Sequence, residues 1–287
     1  MALARTHDSP AGPADATPDA LASLLKLGRP LVMGILNVTP DSFSDGGRFI
    51  NPAAAIAHAA EMAQQGADIL DIGAESTRPY GGAKPVGADE ELARLAPVLP
   101  GAARLGLPIS IDTIKSSVAR FALDHGATIV NDVWGLQRDA DMAPLVAERG
   151  VPVIVMHNRD SADASIDIVA DVIAFFGRSL EIADHAGIAR DKIVFDPGIG
   201  FGKTPEQSIL CLARLAEFKR FGLPLLIGAS RKRFINSVTP SAPADRIGGS
   251  IASHLLAAAS GAAIIRAHDV KETVQALRVA AAIEAAR

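Results

Sequence analysis

The stretch Met33–Gly47, M-G-I-L-N-V-T-P-D-S-F-S-D-G-G, decides how the rest of the chain is read, because an apolar run stops at Asn37 and gives way to turn chemistry. Leu31 to Leu36 is short, apolar and bounded by Pro30, so it reads as a buried strand with Asn37 at its C-terminal end. Beyond it, Pro40-Asp41, Asp45-Gly46 and Gly47 favour turns, and Phe43 stands among them with no periodic partner to bury it. Two readings fit: a lid over a bound molecule, or an ordinary strand-to-helix connection whose Phe43 folds back on the core.

Outward from that junction the same unit repeats. Short apolar strands near 31–36, 68–72, 107–111, 128–131, 151–156, 192–195, 224–227 and 262–266 alternate with longer amphipathic segments. Pro52 to Gln65 and Pro205 to Arg220 are expected helices, the second with Ile209, Leu212, Leu215 and Phe218 on its buried stripe. Eight such units match a (β/α)₈ TIM barrel, which takes about 250 residues. A doubly wound open sheet is the alternative. The barrel is favoured because nearly every strand ends in a candidate ligand group: Asn37, Asp71 with Glu75, Asp112, Asn131, His157, Asp196, Ser230 and Arg266. Such groups converge on one face only if the sheet closes, although any one of them could instead cap the following helix. The expected division is a partly disordered extension over 1–28, with a short helix within Thr17–Leu27, and a single catalytic domain over 29–287.

Composition narrows the class. With 49% hydrophobic but only 4% aromatic residues, the chain suits aliphatic packing between helices and buried parallel strands. A formal charge of −4 gives no basic footprint for nucleic acid, so an anionic ligand needs a local cluster. The single cysteine, Cys211, lies in the apolar pattern S-I-L-C-L-A-R-L and reads as packing, which fits a reducing compartment. The first twenty residues hold no secretory pattern, and the apolar tract Ile251–Ile265 is interrupted and too short to span a bilayer. A soluble cytoplasmic protein without membrane contact is expected.

Three constellations carry chemistry. Asp112, Asn131, Asp196 and Lys232 could grip a flat heterocycle edge-on, the carboxylates accepting ring N–H and amino protons while Lys232 donates to a carbonyl. The run D-P-G-I-G-F-G-K-T at 196–204 has a superficial likeness to a phosphate loop, but Pro197 stands where the first glycine is needed. Its alternate glycines instead let backbone pass close to a ligand while Phe201 offers a ring, or they form a plain flexible turn. Finally, G-A-S-R-K-R at 228–233 and R-A-H-D-V at 266–270 follow strands seven and eight, where barrels often bind phosphate. Arg266 and His268 could fork onto an anion there, with Thr77 and Arg78 adding from the second loop, while Arg231 and Arg233 read as solvated charges. Neither a zinc spacing nor a serine nucleophile elbow is present.

In this order, G-I-L-N-V-T-P-D-S-F-S-D-G-G, D-I-G-A-E-S-T-R-P, S-I-D-T, N-D-V, D-P-G-I-G-F-G-K, G-A-S-R-K and R-A-H-D-V, the motifs resemble the dihydropteroate synthase family from about Pro30 to the C-terminus. The resemblance implies a TIM barrel that joins 6-hydroxymethyl-7,8-dihydropterin pyrophosphate to p-aminobenzoate in folate synthesis. Asp112, Asn131, Met156, Asp196 and Lys232 would hold the pterin. Asn37, Thr77, Arg78, Arg266 and His268 would hold pyrophosphate, with Asn37 also meeting Mg²⁺. Phe43, Pro79, Gly200, Phe201 and Ser230 would border p-aminobenzoate, where sulfonamides compete. Asp112, Asp196, Lys232, Arg266 and His268 would be catalytic, and a homodimer through barrel helices is implied. Two departures stand out: Asn158-Arg159-Asp160 where the family often has M-H-M-Q-G, and Ile199 in place of a common Phe. Methyl transfer from methyltetrahydrofolate to a corrinoid, or pterin binding without catalysis, are the competing expectations.

Overall fold

The computed structural model describes residues 20–39, 51–75 and 86–287. Eight parallel strands run β1 Leu31–Asn37, β2 Ile69–Gly73, β3 Ile109–Asp112, β4 Ile129–Asp132, β5 Val153–Met156, β6 Ile193–Asp196, β7 Leu226–Ile227 and β8 Ile264–Ala267. Their order is β6-β5-β4-β3-β2-β1-β8-β7, with Met33 paired to Ile69 on one side and Arg266 on the other. A parallel bridge between Phe195 and Leu225 joins the two ends of the sheet and makes the barrel. At this seam the Phe195 N–H donates to the Pro224 carbonyl at 2.9 Å. Side chains reinforce it: Phe176 stacks on Phe195 at 4.0 Å between centroids, and Phe221 meets Phe195 edge-on.

The strands begin and end slightly later than the apolar runs suggest, and β7 has two residues where four were expected. The shift matters because it places Asp112 and Asp196 within the ladder rather than after it, as Asn131 and Arg266 already were. Asp112, for example, is in register with both Gly73 and Asn131. Side chains alternate across a strand, and the alternation divides the interior into two zones. Leu31, Met33, Ile69, Ile129, Ile154, Val194, Leu226 and Ile264 form one buried apolar cluster. Two residues further along six of those strands come Asp71, Asn131, Met156, Asp196, Gly228 and Arg266. The outward set, including Leu70, Ile72, Ile111, Val130, Val155 and Phe195, packs with residues of the surrounding helices.

Helix α1, Ala20–Leu25, lies in the segment read as an extension, yet its Leu21 is 3% exposed and belongs to the inner apolar cluster, with Leu24 and Leu25 packed against it. The helix thus closes the apolar end of the barrel. Helix α2, Pro52–Gln64, begins where Asn51 accepts from the Ala54 N–H, with Pro52 at a position that needs no donor. The expected helix from Pro205 to Arg220 divides into an α-helix, Pro205–Ala213, and a 3₁₀ turn, Leu215–Phe221. A capping box between Thr204 and Gln207 sets its phase, so Ser208, Cys211, Leu215 and Phe218 face inward and Ile209 is 38% exposed. Cys211 is fully buried, and burial pushes its thiol up to about 11, as suits a packing residue.

Leu21→Ala removes a core side chain at the barrel floor, so it is expected to lower unfolding free energy by about 2–4 kcal/mol, measured by urea denaturation.

Candidate active site

The polar zone of the interior is organised around Arg266 of β8. Its Nε donates to Asp71 at 2.5 Å and its Nη2 to Asp112 at 2.8 Å, so one guanidinium spans from β8 to β2 and β3. Asn131 of β4 donates its amide to both oxygens of Asp71 at 3.3 Å. Asp71 is 0% exposed and is the hub of the group, although the sequence reading left it out of the proposed site. Its signal was present: an acid two positions after Ile69, on the same face of an apolar strand.

These bonds leave two acceptors unused. Asp112 Oδ1 and Asn131 Oδ1 are buried and have no hydrogen-bond partner among the described residues. A buried acceptor without a donor is costly, and both atoms belong to residues lining the same cavity, so the arrangement suits a ligand edge rich in N–H groups. Burial raises Asp112 to about 7; Arg266 opposes the rise, and the neighbouring acids Asp71, Glu91 and Asp132 add to it.

The opposite wall comes from β6, the loop after it and the residues after β7. Asp196 Oδ1 accepts from the Gly198 N–H at 2.7 Å. Burial raises its pKa too, against the pull of Lys232 and the Gly198 amide. Lys232 donates to the Ile199 carbonyl, and its Nζ sits 4.6 Å from the centre of the Phe201 ring. Burial brings this ammonium down to about 7, with Asp196 holding it up. Val133, Met156 and Gly228 complete the cavity that Asp112, Asn131, Asp196, Phe201, Lys232 and Arg266 line.

Of the residues expected in the site, Asp112, Asn131, Met156, Asp196, Phe201, Lys232 and Arg266 therefore come together in one cavity. His268 stands two residues beyond Arg266, where its backbone N–H and Nδ1 both meet the Ser230 hydroxyl, at 3.2 and 3.0 Å. Gly200 takes a backbone with φ of +81° in the loop that carries Phe201. Asn37 ends β1 beside Gly73 but does not line the cavity. Phe43, Thr77, Arg78 and Pro79 lie outside the described residues.

Three groups read as converging or solvated have other places. His157 is fully buried and bonded to Lys203 and Asp171, since Met156 faces the cavity and the next residue must face away. Glu75 pairs with Lys115 at 2.6 Å and accepts from the Val86 N–H. Arg231 is not a solvated charge: it forks onto Asp269, with its Nε 3.0 Å from the carboxylate. Among the described residues, no group of three or more His, Cys, Asp or Glu side chains could hold a metal ion.

A barrel end that buries carboxylates, an amide and two cations around such a cavity defines a protein for binding a flat, N–H-rich heterocycle. The family model for pterin binding enzymes matches residues 33–268, and the chain belongs to that family. Within it the likeness is to dihydropteroate synthases: the chain is 45% identical over 275 residues to that of Escherichia coli K12, covering 93% of this chain and 96% of that one. Among solved structures, the synthase of Clostridium difficile in the presence of pteroic acid is 49% identical with a TM-score of 0.85, covering 89% of this chain and 97% of that one. The Xanthomonas albilineans synthase with 4-aminobenzoic acid is 46% identical at a TM-score of 0.86, over 90% of this chain and 94% of that one. That of Yersinia pestis with a sulfonamide drug complex is 42% identical at 0.83, over 91% and 96%.

The raised acids have a thermodynamic signature. A carboxyl whose folded pKa exceeds its unfolded value holds extra protons when folded, so its contribution to stability falls as pH rises between the two values. For Asp112 that window runs from its ordinary value, about 4, up to about 7. Asp112→Asn is expected to make the slope of unfolding free energy against pH less negative across that window, where Asp132 and Asp196, also raised by burial, pull stability down with rising pH and the buried His157 and His254, lowered to about 4, pull it up, as read from urea titrations at a series of pH values.

Proposed function

We propose that the chain condenses 6-hydroxymethyl-7,8-dihydropterin pyrophosphate with p-aminobenzoate, giving 7,8-dihydropteroate and pyrophosphate. The observation that carries this reading is the pair of buried, unpartnered acceptors, Asp112 Oδ1 and Asn131 Oδ1, facing Lys232 and Asp196 across one cavity. A pterin offers ring N–H and amino donors to those acceptors and a carbonyl to the ammonium. The run of synthase relatives over nearly the whole chain supports this condensation over methyl transfer to a corrinoid.

The chemistry follows from the charges. Loss of pyrophosphate leaves positive charge on the pterin methylene, and Asp112 and Asp196 are buried where their field is least screened. Arg266, His268 and Asn37, with Thr77 and Arg78, bind the departing diphosphate; the amine of p-aminobenzoate then attacks the methylene carbon and gives up a proton. Phe201 and Gly200, with Phe43, Pro79 and Ser230, border the aromatic acid, and sulfonamides compete there.

Mg²⁺ belongs to this reading as a partner of the diphosphate. Asn37, at the C-terminal end of β1, would offer a hard oxygen, and Mg²⁺ commonly keeps several waters and takes its remaining ligands from substrate phosphates. When bound it would neutralise charge on the leaving group.

Among the described residues, no helix is long and apolar enough to cross a membrane. A cytoplasmic location fits the single buried thiol. A homodimer through the last two helices, Ile247–Ala259 and Val270–Ala285, would cover Leu256, Val279 and Ile283, which are 71%, 54% and 56% exposed.

Pyrophosphate release from the pterin substrate should require both p-aminobenzoate and Mg²⁺, and Arg266→Ala should lower kcat by at least about 100-fold. A chain that binds the pterin yet releases no pyrophosphate would establish a binding protein instead. In sedimentation velocity the wild type is expected to run as a dimer and Leu256→Glu as a monomer.

A further inference from the structure

The lysine that ends the glycine-rich run is buried away from the cavity. Lys203 is 1% exposed, and its ammonium lies 2.6 Å from His157 Nδ1, 2.9 Å from the Gly198 carbonyl and 3.1 Å from the Phe201 carbonyl. An ammonium has three N–H donors, and these three acceptors match them. We propose that Lys203 is a positioning residue for the aminobenzoate side of the site, fastening the loop Pro197–Gly202 from behind so that Phe201 is held at the cavity wall. This inference rests on the reaction proposed above.

The fastening reaches further than one bond. His157 accepts at Nδ1 from the ammonium, so its ring proton is on Nε2 and is donated to Asp171 at 2.9 Å. Arg159 donates to the same carboxylate at 2.9 Å. Asp171 lies in the first turn of the helix Ile168–Ala186, so the chain of contacts runs from that helix, through the residue after β5, to the loop after β6. The groups along it run ammonium, neutral imidazole, carboxylate, guanidinium, so the one carboxylate is shared by the imidazole N–H and a cation. Burial, then Lys203, lowers His157 to about 4, which keeps the ring neutral. The His157 hydrogen bond and Arg159 bring Asp171 down to about 2.

The loop needs such a fastening because of its composition. Gly198, Gly200 and Gly202 all have positive φ, and glycine loses more conformational freedom on ordering than any other residue. Close approach explains two of them: a Cβ on Gly198 would lie 1.9 Å from the His157 carbonyl oxygen, and one on Gly202 would lie 2.4 Å from Arg159 Cβ. The glycines permit the loop's path; Lys203 selects it. Burying an ammonium is costly before its bonds are counted, so a lysine used only for filling space would be a poor choice. Asp196, by contrast, has its backbone fixed by the β5–β6 ladder opposite Met156, and the pterin side touches the loop only where the Gly198 N–H donates to Asp196 and Lys232 donates to the Ile199 carbonyl. Loss of the fastening should therefore reach p-aminobenzoate before it reaches the pterin.

The test compares wild type, Lys203→Met and Asp171→Asn in the full chain. Lys203→Met is expected to speed amide hydrogen exchange over 198–202 and to raise both the KM for p-aminobenzoate and the inhibition constant of a sulfonamide by about tenfold. The affinity for 6-hydroxymethylpterin pyrophosphate and kcat should change less than about threefold, and Asp171→Asn should shift the same quantities the same way by a smaller factor. Unaltered exchange, or an unaltered KM in folded Lys203→Met, overturns the proposal. So does a joint fall of pterin affinity, kcat and thermal midpoint, which marks an ordinary structural role. Should Lys203→Met fail to fold, Asp171→Asn decides by the same readouts. Exchange is read without substrate, so a wild type that does not condense the two substrates would remove the reaction while leaving the loop's fastening judged separately.

Discussion

One guanidinium holds the reactive end of this barrel together. Arg266 leaves β8, which lies between β1 and β7, and reaches across to acids on β2 and β3. Without that cation, Asp71 and Asp112 would be two carboxylates facing each other where water is scarce, and like charges so placed cannot both persist. The pairing is not a source of stability by itself, since the desolvation of buried ions offsets much of their attraction. Stability comes from the apolar layer immediately beneath, where Leu31, Met33, Ile69, Ile129, Ile154, Val194, Leu226 and Ile264 meet the underside closed by Leu21. The interior thus works as a floor and a workspace, separated by one step of two residues along six of the strands.

Much of this was legible from alternation alone. The strands are visible because parallel strands buried on both faces leave mostly apolar runs, and the acids at their ends stand out against that background. Asp71 is legible as a strand-end acid but joins none of the three constellations, because its partners Arg266 and Asn131 lie far along the chain and D-I-G continues the strand beyond it. His157 was misplaced for the complementary reason: it does stand at an end, but on the wrong parity, and Met156 had already taken the inward position. The phase of the helix from Pro205 depended on a capping box that turns Gln207 and Ser208 inward, a reciprocal bond that periodicity does not register. Pairings across long stretches of chain, such as Arg231 with Asp269, have no local signal at all.

The two loops nearest the cavity are restrained by different means. Behind β6, the glycines let Gly198 and Gly202 press against the backbone of His157 and Arg159, and the cation at the end of the run ties the carbonyls together. Behind β7, Arg231 takes a φ of +56° while its N–H donates to Ser250 and its carbonyl accepts from Arg246. A non-glycine residue in that region costs energy, and three side chains from elsewhere keep it there. The next residue is Lys232, so the strained turn aims the ammonium that faces Asp196 and Phe201. Asn158-Arg159-Asp160, where the family often differs, is part of the same support: Arg159 faces Asp171 rather than the cavity.

Cys211 is the chain's only sulfhydryl, and the inner face of its helix keeps it dry and protonated. Thiol reagents attack the thiolate and need access, so the native protein offers them no target. A cysteine introduced at an exposed position such as Val279 would consequently be the single attachment point for a fluorophore or spin label, with no background to subtract and no native cysteine to remove first.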